Sequence, residues 1–174
     1  MIIKKQKGLT LVELTVYTAL LAIVYFIAIP HYHNFKAKKE AQAIPHILHQ
    51  HLIQAKQLAF IHRNNLVICP SLDLEHCTTD QWHSGFILFL DQNQNKKRDS
   101  NEVILNTYQT NLKYGTLLWK GSLNFQAVTF QGDTGLPRGS IGSFYYCSSQ
   151  LDLQHRIVLN MVGTIRTESQ NNKC

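Results

Sequence analysis

From Leu9 to Ile29 the chain reads LTLVELTVYTALLAIVYFIAI, an apolar run interrupted by one formal charge, Glu13. As a helix rising about 1.5 Å per residue, this run spans roughly the 30 Å hydrocarbon thickness of a bilayer. Pro30 lacks a backbone N–H and disfavours helix at Ile29, so a kink is predicted there. Beyond it Ala37, Ala41, Ile44, Leu48, Leu52, Ala55, Leu58 and Ala59 recur at three- and four-residue steps. That spacing predicts an amphipathic helix through about His62, with a second bend possible at Pro45 and a β-sheet packed on its apolar stripe.

After Arg63-Asn64-Asn65 the pattern changes to short apolar or alternating runs broken by turn residues. Strands are predicted at 66–68, 85–90, 102–105, 116–119, 128–130, 143–147 and 156–160, with a turn at Gly163 into a last short strand at 164–166. One long helix followed only by strands gives an α+β fold: a long N-terminal α-helix, half membrane anchor and half amphipathic, packed on an antiparallel β-rich domain. The 174 residues hold one sizeable core, and 44% hydrophobic against 16% charged residues excludes a disordered chain.

Charge adds direction. Lys4, Lys5 and Lys7 precede the apolar run and none lies within it, which places the N-terminus on the cytoplasmic side. Of the 17 Lys and Arg, 14 remain beyond the run against 11 acidic residues, a mild excess that permits nucleic-acid binding without demanding it. A cleavable signal peptide needs a small-residue site after its apolar core, and Pro30-His31-Tyr32-His33-Asn34 is a poor one. Glu13 is the anomaly. A carboxylate in an apolar span is costly unless paired, which marks it as functional; the plainer alternative keeps it wet near the interface, four residues past Leu9.

Four cysteines, Cys69, Cys77, Cys147 and Cys174, all follow the anchor, as expected for two disulfides in an oxidising compartment. Three pairings are possible. The favoured set is Cys69–Cys77, closing a turn-rich loop, and Cys147–Cys174, tying down the tail. The spacing fits no zinc pattern. His46 and His49 share a helix face and are read, with His31, His33, His51 and His62, as solvated rather than metal-binding. The stretch Asp91 to Glu102 carries acidic or amide oxygens at positions 1, 3, 5, 9 and 12, the spacing of a calcium loop. Lys96 replaces the usual glycine at position 6 and Lys97 and Arg98 add positive charge, so a polar turn between strands is preferred. No metal and no cofactor are expected. No nucleophile elbow, zinc-protease motif or phosphate loop occurs either, and an enzyme is not expected.

The segment Gly8-Leu9-Thr10-Leu11-Val12-Glu13-Leu14, behind its basic leader, resembles the type IV prepilin signature. Cys69-Pro70-Ser71 with Cys77, Trp82, Gly85-Phe86, Phe89-Leu90-Asp91 with Asn93, Arg98-Asp99, and Glu102 with Ile104-Leu105 resemble the GspH/FimT branch, as do Arg156 to Leu159 and Gly163-x-Ile165-Arg166. The resemblance implies a leader at 1–8, a transmembrane and assembly helix at 9–30, and a periplasmic domain at 31–174. It implies cleavage after Gly8 by a prepilin peptidase, N-methylation of Leu9, and pairing of Glu13 with the terminal ammonium of a neighbouring subunit. The expected location is the inner membrane, single pass, with assembly into a pilus or pseudopilus alongside other pilin subunits.

In FimT-like members a G-R-x-R motif is associated with DNA binding during natural transformation. Gly163 and Arg166 match it, whereas Thr164 stands where its first arginine belongs. Arg138, Arg156, Arg166 and Lys173 are therefore candidate contacts to double-stranded DNA, weighed against a merely solvated basic face. Tyr145 or Tyr146 is a candidate to stack bases. The expected role is that of a minor pilin of a type IV pilus, priming or entering the filament. The alternatives are a type II secretion pseudopilin serving protein export and a purely structural minor pilin.

Overall fold

The computed structural model describes residues 10–122, 126–148 and 151–169. Two compact units divide the chain, Met1–Lys36 and Ala37–Cys174. Helix α1 runs Leu11–His62, with Pro30 and Pro45 both inside its bounds. In the first unit its apolar side chains, Leu11 through Phe35, are exposed, and this is a helix long and apolar enough to cross a membrane.

In the second unit the helix presents Ala37, Ala41, Ile44, Pro45, Leu48, Leu52, Ala55 and Ala59 to the core. This is the predicted stripe with Leu58 at its half-buried margin and Pro45 added. The strands are β1 (Asn65–Pro70), β2 (Gly85–Asp91), β3 (Ile104–Gln109), β4 (Gly115–Gly121), β5 (Val128–Phe130), β6 (Gly142–Ser148), β7 (His155–Leu159) and β8 (Ile165–Ser169). They form two antiparallel four-stranded sheets, β3-β2-β1-β5 and β4-β6-β7-β8.

In the first sheet β2 is buried on both faces, which is why it is apolar from Phe86 to Leu90, while β3 at the edge is partly exposed. Leu66, Ile68, Phe86 and Leu88 join the main core with the helix stripe, while Val67, Cys69, Ile87 and Phe89 form a second cluster beneath the connecting loops. The second sheet alternates as a one-sided sheet does: Leu117, Trp119, Phe144, Tyr146, Ile157 and Leu159 point inward. Rings link helix and sheets. His51 packs on Tyr108 and Phe86 at 4.8 and 5.0 Å between centroids, Trp82 lies 5.9 Å from Phe86 and 4.8 Å from Phe144, and Trp119 follows at 4.5 Å.

Two expectations need correction. His51 is not a solvated residue: it is half-buried against those rings, and its Nδ1–H donates to the Ile47 carbonyl at 2.8 Å. The third strand starts at Ile104, not 102, because Glu102 is buried and accepts the N–H groups of Gln92 and Asp99 instead of joining the ladder.

On β7, His155 has a buried Nδ1 without a partner, and burial pushes its pKa below the usual histidine value of 6.5. The unfolded chain then takes up a proton at a higher pH than the folded one. Stability is therefore retained above about pH 6.5 and declines as the pH falls below it. Denaturant midpoints at pH 7, 6 and 5 should show a shallower decline for His155→Gln than for wild type. Equal slopes would exclude this histidine as the cause.

Candidate nucleic-acid interface and assembly helix

At the start of α1, Thr10 and Glu13 form a capping box. The Thr10 N–H and hydroxyl both donate to Glu13 Oε2 at 2.9 Å, and the Glu13 N–H donates back to Thr10 Oγ1 at 3.3 Å. The anomalous carboxylate thus has local donors, which lowers the cost of holding it in an apolar span. Gly8 and Leu9 lie outside the described residues, and so does any feature of the leader.

The outward positions of the second sheet follow from its register. Tyr145 pairs with Leu118 and Arg156, Lys120 with Ser143, Arg156 with Glu168, and Val158 with Arg166. Lys120 Nζ stands 4.8 Å from the Tyr145 ring centroid and the Arg156 guanidinium 5.8 Å from it, so the phenol ring has a cation on each neighbouring strand. Arg156 Nε also donates to Ser143 Oγ at 3.0 Å, and its guanidinium lies 3.6 Å from Glu168. Arg166 is exposed on the edge strand of the same face. Gly163, at φ 74°, makes the β7–β8 turn that sets this register; its N–H donates to Asn160 O, and the Thr164 N–H to Asn160 Oδ1 at 2.8 Å.

Of the predicted DNA contacts, Arg156 and Arg166 share this face. Arg138 sits in the β5–β6 loop, 3.8 Å from Asp133. Lys173 lies outside the described residues. Of the two candidate stacking residues, Tyr146 is buried and only Tyr145 faces outward. Lys120 had no motif to single it out. Its signal was the two-residue alternation that puts it on the face opposite Leu117 and Trp119.

Cys69 and Cys77 are bridged, with Cα atoms 5.5 Å apart. Inside their loop Asp73 accepts the N–H groups of His76 and Glu75 and the His76 side chain, contacts that hold its carboxyl well below the usual range. Cys147 is disulfide-bonded too, while the pairing proposed for it with Cys174 reaches outside the described residues. In the 91–102 loop, Asp91 accepts the N–H groups of Asn95 and Lys96, and Asp99 the side-chain amides of Asn93 and Asn95. Among the described residues no three His, Cys, Asp or Glu groups converge as a metal site.

Residues 47–163 match the model of the family described as Type II transport protein GspH. The chain belongs to this family. Solved structures share the fold. The type IV minor pilin FimU of Pseudomonas aeruginosa superposes with a TM-score of 0.55 at 16% identity, covering 77% of this chain and 92% of FimU. The minor pseudopilin EpsH from the Type 2 Secretion System of Vibrio cholerae gives 0.51 at 11% identity, covering 75% of this chain and 97% of EpsH. No curated protein sequence matches. Membership in the GspH family, with the long apolar helix and two antiparallel sheets, makes the chain a pilin-like protein.

Proposed function

We propose that the chain is a minor pilin of a type IV pilus whose β4-β6-β7-β8 face grips duplex DNA by its phosphates. The observation that carries the DNA reading is Tyr145 held between Lys120 and Arg156, with Arg166 on the same face. Such a surface offers cations to a phosphate backbone and no pattern of base-edge donors, so it should bind with little sequence preference. The retained affinity should fall with salt at a log–log slope of about −0.9 per phosphate neutralised. Arg166→Gln should weaken binding to all sequences and flatten that slope by roughly one. Glu168→Gln should strengthen binding several-fold, because Arg156 then loses its competing carboxylate. Absence of salt-sensitive DNA retention by the wild-type protein at low ionic strength would end this reading. Two rivals then stand: a purely structural minor pilin, in line with the likeness to the FimU fold, and a secretion pseudopilin, in line with the GspH family match and the likeness to the EpsH fold.

The assembly half of the proposal rests on the helix. A prepilin peptidase cuts after Gly8, residues 9–30 anchor the chain in the inner membrane, and residues 31–174 lie in the periplasm. On entry into a filament with other pilin subunits, Glu13 exchanges its contacts with Thr10 for a neighbour's terminal ammonium, a partner that also needs a counter-charge in lipid. Mass spectrometry of the membrane-extracted protein should show an N-methylated Leu9 terminus. An intact Met1 in cells with active peptidase is the contrary result.

A further inference from the structure

The outer face of the first sheet carries a cleft of about 420 Å³ that neither the helix nor the DNA-facing sheet shares. Its floor is apolar: the Cys69–Cys77 bridge, Pro70 and Ala127. Its rim is cationic at Lys97 and Arg98 of the 91–102 loop, and His76, held by Asp73, borders it from the disulfide loop. Among the described residues no Asp or Glu lines it.

Of the five acids in these two loops, four are engaged elsewhere, and the exposed Glu75 does not line the cleft. Asp91 and Glu102 are buried and accept backbone N–H groups, Asp99 takes the amides of Asn93 and Asn95, and Asp73 takes the donors of His76 and Glu75. The loops thus turn four carboxylates onto their own backbone and side-chain donors and bring Lys97 and Arg98 to the cleft. Arg98 Nε and Gln126 Oε1 are shielded from the cleft, so what these half-buried residues offer a ligand is the rest of their side chains. A guanidinium and an ammonium beside an apolar floor, with no carboxylate in the lining, are best matched by an anionic oxygen.

We propose that this cleft binds a small organic oxyanion, a carboxylate or phosphate carried on a flat apolar body. The apolar body lies on the disulfide, Pro70 and Ala127, and the oxyanion pairs with the Arg98 guanidinium charge with Lys97 beside it. The single polar end against an apolar floor is the usual composition of a ligand pocket, and the volume falls in the usual range. This site is separate from the Tyr145 face, and its occupancy does not depend on DNA binding.

The test uses the full-length protein in detergent, with 2-naphthoate and 1-naphthyl phosphate as probes and neutral 2-naphthalenemethanol as control, read by amide chemical shifts. Both anions should shift the Thr78 and Ala127 amides saturably, and the neutral compound should bind at least tenfold more weakly. Tighter naphthoate assigns a carboxylate ligand and tighter naphthyl phosphate a phosphate ester. Arg98→Gln should reduce affinity about tenfold, with Lys97→Gln as the second variant should the first disturb the loop. Equal binding of the neutral compound, affinity unchanged in both variants, or shifts that do not saturate would overturn the proposal.

Discussion

Replacing Trp82 by alanine is expected to remove about 3–5 kcal/mol from the stability of the folded domain, the range for truncating a large buried ring. Trp82 is 1% exposed and stands between Phe86 of β2 and Phe144 of β6, so it is the wedge joining the two sheets. Its carbonyl also accepts the Thr110 hydroxyl at 3.0 Å, which the substitution leaves in place. The loss should therefore reflect the cavity and not a lost connection between loops. Trp82→Phe should cost far less, because a ring still fills most of the space and the buried Nε1–H, which has no acceptor, is removed. Denaturant unfolding followed by near-ultraviolet circular dichroism checks both. An alanine variant within 1 kcal/mol of wild type would mean that the sheets hold together without this wedge.

Most of the architecture could be read from side-chain periodicity alone. The amphipathic stripe ends at Ala59 and the helix at His62, as expected, and each predicted strand has a counterpart among β1 to β8. These elements are legible because burial repeats at 3.6 or 2 residues, and periodicity reports burial directly. Where a polar side chain, and not periodicity, decides the boundary, the reading slips. Glu102 looked like the start of a strand because it precedes an apolar run, yet its carboxylate holds the loop closed and the ladder begins two residues later. His51 looked solvated because histidine on a helix usually is; its stacking on Phe86 and Tyr108 comes from strands far along the chain.

The candidate interface divides the same way. Arg156 and Arg166 carried a motif resemblance, and the strand alternation that exposes Tyr145 and buries Tyr146 is a local pattern. That Lys120 reaches the same ring is a matter of strand order, β4 beside β6, which no short-range pattern encodes. Glu40 was invisible for the same reason. Its partners lie 73, 74 and 106 residues away, so it reads as an ordinary charge on a helix.

Glu40→Ala should therefore be unusually damaging for a half-buried helical glutamate, at about 2–4 kcal/mol. Glu40 Oε2 accepts the Lys113 N–H at 2.9 Å, and Oε1 accepts the Tyr114 N–H at 3.0 Å and the Tyr146 hydroxyl at 2.9 Å. The carboxylate thus fastens the helix to the entry of β4 and to the centre of β6. Hydrogen bonds to a charged acceptor contribute about 1.5–3 kcal/mol each, less where water competes, and removal leaves a buried hydroxyl without an acceptor. Glu40→Gln should lose about half as much, because one amide oxygen cannot serve donors on both sides. Tyr146→Phe should lose about 1 kcal/mol, and the double variant should show coupling of similar size, since the two side chains share one bond. Burial, then the Glu40 bond and charge, raise the Tyr146 pKa above its usual 10. The unfolded tyrosine therefore ionises first, and wild-type stability should fall as the pH rises past about 10. Tyr146→Phe should lack that component. If unfolding midpoints from pH 9 to 11 fall in parallel for both proteins, the phenol is not the group that couples stability to alkaline pH. If Glu40→Ala unfolds with wild type, the helix is held to the sheet by its apolar stripe alone.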